Sequence, residues 1–81
     1  MTFSDRIKQG DHVQLRRGRE WLSIFACFEY DDNNEATGYS RTEALWIYGK
    51  GKIGTNRHMC DIGVLNNQLQ AHMEHGWELV K

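Results

Sequence analysis

From Trp21 to Tyr30 the chain carries apolar side chains on both faces of an extended strand. Leu22, Ile24, Ala26, Phe28 and Tyr30 alternate with Trp21, Phe25 and Cys27, and only Ser23 and Glu29 interrupt the second set. Successive strand residues point to opposite sides, so a strand apolar on both sides belongs in the interior of a sheet, with a neighbour on each side. A chain of 81 residues has room for a single core. The strand therefore sets a sheet as the frame and residues 1–81 as one domain. No proline, repeat or low-complexity tract marks an internal boundary.

The flanking segments supply partners for this strand. Val13 and Leu15 alternate with His12, Gln14 and Arg16, and Gly18 within Arg17-Gly18-Arg19 permits the tight reversal of a first hairpin. Asp31-Asp32-Asn33-Asn34 is a turn, because these side chains bond their own backbone and tolerate positive φ. Residues 36–48 read two ways: Ser40-Arg41-Thr42-Glu43 has the form of a helix capping box, whereas Leu45-Trp46-Ile47-Tyr48 favours a strand, which we prefer. Gly49, Gly51 and Gly54 then punctuate a basic loop carrying Lys50, Lys52 and Arg57. Ser4 to Gly10 allows one short helix. The clearest helix runs from an Asp61 cap through Ile62, Leu65, Leu69 and Met73 to Gly76, and Trp77 and Leu79 alternate about Glu78 in a short terminal strand. The expectation is an α+β fold: about four antiparallel strands with one C-terminal helix packed on one face of the sheet.

Composition supports folding and narrows the compartment. Hydrophobic residues make up 40%, and the net charge of -1 lies outside the pattern of disordered chains. No apolar run approaches the ~20 residues of a membrane span, and the first residues lack the basic-then-apolar form of a signal peptide. The expectation is a soluble, cytoplasmic protein. Cys27 and Cys60 are too few for a disulfide scaffold and read as two thiols. A domain this small holds little stability in reserve, so a partner or homodimer formation would help it. The small net charge conceals blocks: residues 1–19 carry +3, 20–47 carry -5, 48–57 carry +3 and 58–81 carry -2. Such blocks either neutralise one another across paired strands or form patches of opposite sign.

The ending Leu65-x3-Leu69-x6-Gly76-Trp77-Glu78-Leu79-Val80 resembles that of a family of small bacterial proteins of unknown function, whose helix closes on Gly-Trp-Glu-Leu-Val. The likeness covers residues 62–80 and implies helix-to-strand packing. It implies no activity.

Several constellations bear on chemistry. His58-x-Cys60 with His72-x2-His75 offers four zinc-ligand types, but the spacing fits no familiar finger, and two partly exposed helix histidines beside an unrelated thiol explain it as well. A Cys60 nucleophile with His58 or His72 as base and Asp61 as orienter would also need an oxyanion hole and a cleft. Cys27 reads as strand packing. Glu29, Asp31, Asp32 and Glu35 gather at a hairpin tip, where solvated turn residues are expected. Gly49-Lys50-Gly51-Lys52-Ile53-Gly54-Thr55 lacks the Gly-Lys-Ser/Thr ending of a phosphate loop. No catalytic residue, metal or cofactor is assigned.

What remains is binding. Trp21, Trp46 and Trp77 are candidate anchors for another protein if they escape the core. The basic loops 16–19 and 50–57, with Tyr39, Trp46 and Tyr48 as stacking faces, form the alternative, a nucleic-acid module. Against it stand a pI near 6.4 and an acidic block that would repel phosphates unless it faces away. The contact set expected for a partner is thus Arg16, Arg17, Arg19, Trp46, Tyr48, Lys50, Lys52 and Arg57. The leading expectation is a non-catalytic accessory or inhibitory protein of the phage or mobile-element type, acting on another protein; a zinc or thiol enzyme ranks third.

Overall fold

A computed structural model describes residues 2–80 and, within them, every side chain except those at positions 53 and 54. Helix α1 (Phe3–Lys8) leads into strands β1 (Val13–Arg17), β2 (Glu20–Tyr30), β3 (Ala36–Lys50) and β4 (Ile53–Asp61), then helix α2 (Leu65–Glu74) and strand β5 (Glu78–Leu79). All pairings are antiparallel and the strand order is β4-β3-β2-β1-β5. The doubly apolar segment is indeed the middle strand. Four strands form a meander, and α2 carries the chain back over the sheet to place β5 beside β1.

Local chemistry sets the ends of these elements. Thr2 caps α1 by a capping box: its side chain accepts from the Asp5 N–H while the Asp5 carboxylate accepts from the Thr2 N–H. Asp31 Oδ1 accepts from the N–H groups of Asn33 and Glu35, closing the β2–β3 turn. Asp61 caps a single 3₁₀ turn, Ile62–Val64, that runs into α2. At the other end Gly76, at φ 94, closes α2, with Trp77 N–H bonding the His72 carbonyl and Gly76 N–H that of Met73.

Both helices lie on one face. Val13 and Leu15 of β1, Leu22 and Ile24 of β2, and Ala44 and Trp46 of β3 meet Ile7, Ile62, Leu65 and Leu69 from the helical side, with Trp77 completing the core. Burial of each leucine here contributes about 1.5–3 kcal/mol relative to exposure. Ser4 ties the two helices: its hydroxyl donates to the Ile62 carbonyl and its N–H to the Asn66 side chain.

The glycine-punctuated basic loop shrinks to a two-residue turn at Gly51-Lys52, and residues 53–61 form a fifth strand. Arg57, His58 and Cys60 are therefore strand residues. Gly54, expected as part of that punctuation, is likewise a strand residue. The added strand is a sheet edge, exposed from Thr55 to Met59, and so carries little of the apolar alternation that marks a strand in sequence. No helix is long and apolar enough to cross a membrane among the described residues.

Candidate functional site

Cross-strand partners in an antiparallel sheet present their side chains on the same face, so the register divides the sheet's residues into two sets. The helix side carries Leu22, Ile24, Trp46 and Tyr48, with Cys60 packed against the core opposite Ala44 and His58, exposed at the sheet edge, opposite Trp46. The other set is Gln14 and Arg16; Trp21, Ser23 and Phe25; Leu45, Ile47 and Gly49; Thr55, Arg57 and Met59; and Glu78. No described helix packs on this second face.

The bare face is apolar in its middle. Phe25 lies opposite Leu45, and Leu45 opposite Met59; Phe25 and Met59 are 36% and 49% exposed, while Leu45 and Ile47 are half-buried. His12, just before β1, stacks on Phe25 with ring centroids 4.3 Å apart and planes 3° apart. Ser23 is buried among these larger neighbours.

The two ends of the face differ in charge. At the end formed by the β1–β2 and β3–β4 turns, the Gly51 N–H donates to the Arg19 carbonyl at 2.8 Å, so the two basic loops of the sequence meet. Trp21 lies over Gly49, where a Cβ would collide with the indole, and its Nε1–H donates to the Gly51 carbonyl at 3.2 Å. Arg16, Gly18, Arg19, Trp21, Gly51 and Lys52 line an open cleft of about 480 Å³. At the opposite end Glu43 stands directly across from Asp61, and beyond it Asp31, Asp32 and Glu35 occupy the tip of the β2–β3 hairpin. The cationic turns and the acidic hairpin tip thus lie at opposite ends of β2 in an elongated molecule with extents of 43 × 30 × 20 Å.

The expected contact residues divide between the faces. Arg16, Arg19 and Lys52 gather at the cleft, and Arg57 shares the bare face opposite Ile47. Arg17 points the other way: its guanidinium sits 5.0 Å from the Trp77 ring and bonds Glu20 and the His75 carbonyl. Trp46 is a core residue at 7% exposure and so is no surface anchor, whereas Tyr48 is half-buried and lines a second cleft, on the helix side, with Arg17, Glu20, His75 and Trp77. Lys50 is exposed and pairs in register with Glu20. The Tyr48 hydroxyl donates to Glu20 at 2.6 Å, and this bond, with Arg17 next, holds the Glu20 carboxyl below its usual range. The same bond pushes the Tyr48 phenol up.

The zinc and thiol candidates are placed otherwise than their chemistry requires. His58 and His72 each pack against the Trp46 ring, at 5.8 and 5.5 Å between centroids, and His72 Nδ1 lies 2.7 Å from the Gln68 carbonyl oxygen. His75 is exposed past the end of α2. No group of three or more His, Cys, Asp or Glu side chains that could hold a metal is present among the described residues. Both cysteines are unbridged, and burial pushes both thiols up, away from the thiolate that a nucleophile or ligand needs.

Reasoning from sequence does not single out Phe25, Leu45, Ile47 and Met59. Their signal is the second apolar set in β2, which marks a face but not what covers it. In comparisons with known proteins, no family model matches this chain, and no curated protein or solved structure matches it.

Proposed function

We propose that this is a non-catalytic binding protein whose working surface is the helix-free face of the sheet, and that its partner is another protein. The observation behind this reading is the strip Phe25, Leu45, Ile47 and Met59, apolar and left open on a sheet whose other face is covered. Interfaces of this kind centre on large apolar side chains within a polar rim. Here the rim is polarised. Glu43 and Asp61 are directly opposed across β3 and β4, and like charges so placed are unfavourable, so a cation on the partner is favoured there. The partner that fits is a folded protein with an apolar patch edged by lysine or arginine, and the charge at the rim sets its orientation. An accessory or inhibitory role follows if that patch belongs to an enzyme's working surface.

The test compares capture by the native chain with capture by a Leu45→Ser, Met59→Ser variant, which keeps the charge pattern. A protein bound in fixed stoichiometry by the native chain, resistant to nuclease and lost with the variant, supports the reading. Equal capture by both proteins would sink it. Sedimentation of the purified chain distinguishes a second copy as the partner, through a doubled mass that the same variant abolishes.

A further inference from the structure

The cleft at the basic end of the bare face is separate from the apolar strip and has its own chemistry. Among the described residues its lining holds three cationic side chains, Arg16, Arg19 and Lys52, and no carboxylate. None of the three takes part in a salt bridge among the described residues, although Glu78 stands opposite Arg16 on β5. The nearest acid in sequence, Glu20, is held by Arg17 and Tyr48 on the helix side.

Trp21 gives the cleft its second property. Gly49, directly opposite Trp21 in the β2–β3 register, leaves no side chain between the ring and the strand backbone. The indole therefore lies against β3, and its N–H is spent on the Gly51 carbonyl, which fixes the ring and directs recognition to its π-surface. Trp21 is half-buried, whereas Trp46 and Trp77 are buried. A flat aromatic ring bordered by cations matches a base joined to a phosphate: the base stacks and the phosphate meets guanidinium and ammonium groups. Gly18, with no atom within 4 Å of where its Cβ would stand, keeps one side of the cleft open. The acidic hairpin tip, the feature that would repel a phosphate, lies at the far end of β2.

We infer that the cleft formed by Arg16, Arg19, Trp21 and Lys52 binds a nucleoside phosphate, either free or as one residue of a single strand. The ligand stacks on Trp21 and its phosphate is held by the two turns, which act together because Arg19 and Gly51 are hydrogen-bonded.

The probes are labelled oligothymidylate, oligouridylate and thymidine monophosphate, titrated against the full chain at low and physiological salt. Binding of the strands is expected with quenching of tryptophan fluorescence, and Trp21→Leu removes the quench. Arg19→Gln with Lys52→Gln, two exposed turn positions whose replacement leaves the core intact, is expected to weaken strand binding by tenfold or more. It should also flatten the dependence of log K on log salt by about 1.4, at about 0.7 for each phosphate no longer neutralised. Strand binding without mononucleotide binding identifies a single strand as the source; binding of both identifies the free nucleotide as sufficient. No binding of any probe, an unchanged salt slope in the double variant, or equal competition by polyglutamate overturns the inference. Leu45→Ser with Met59→Ser separates this site from the protein-binding strip, since it should leave strand affinity unchanged while abolishing the protein complex.

Discussion

The two faces of the sheet share a backbone and differ in what their side chains do. On the helix side Leu15, Leu22, Ile24, Leu65 and Leu69 are at most 1% exposed, and there identity is dictated by packing at interior density. On the other side Phe25 and Met59 remain open to solvent and Trp21 is anchored by one glycine and one carbonyl. The covered face holds the fold together, and the bare face is where sequence can be given to recognition. Substitutions on the first should unfold the protein; substitutions on the second should leave it folded and unable to bind.

The largest effect is expected from Leu69→Ala, which empties a fully buried site and should lower stability by about 2–5 kcal/mol in denaturant titration. A change under about 1 kcal/mol would mean that α2 is not the cover it looks to be. Gly49→Ala comes next and tests whether any bare-face position is structural. Its methyl would strike the indole of Trp21, so a loss of about 1–3 kcal/mol is expected, accompanied by a shift in Trp21 emission. Thr2→Ala removes the cap that orients α1, with a loss of about 1 kcal/mol by the same titration. Met59→Ser should stay within about 0.5 kcal/mol of the native chain, and a larger loss would move Met59 from the recognition set to the structural set.

A pH titration probes the helix side without removing a side chain from the core. The Glu20 carboxyl is lowered by the Tyr48 hydroxyl and then by Arg17, so its contribution to stability is present above its unfolded value and is lost as pH falls through the lower folded value. Tyr48→Phe should flatten this acid limb, as followed by the unfolding midpoint between neutral and acid pH. A limb unchanged in Tyr48→Phe would show that this bond does not persist in solution.

Much of the fold is legible in the sequence because its core elements obey clear periodicities. The doubly apolar β2, the Asp-Asn turn and the Leu65–Leu69 stripe ending at Gly76 each carry their own local signal. Strand β4 is not legible, since an edge strand pairs with one neighbour only and need not alternate apolar with polar. Residues Thr55 to His58 carry no apolar side chain, and three preceding glycines suggest a loop. The site is legible in part. The cationic turns 16–19 and 50–52 stand out in the sequence, but their meeting depends on the Glu20–Lys50 register, which hairpin lengths alone do not fix. Trp46 and Tyr48 attract attention as anchors because they are aromatic, yet the alternation within β3 turns both toward the helices. The weight of the acidic block is also a spatial matter: Asp31, Asp32 and Glu35 stand at the end of the molecule remote from the cleft.

The strand order carries a kinetic corollary. Among themselves, strands β1 to β4 pair only as sequence neighbours and can form by zipping successive hairpins, each closing a short loop. Strand β5 instead finds β1 after α2 has crossed the sheet, and the Val80 N–H then bonds the Gln14 carbonyl. Closing so long a loop is entropically slow. The meander should therefore form first, exposing Leu15 and its neighbours, until docking of α2 and β5 completes the native state.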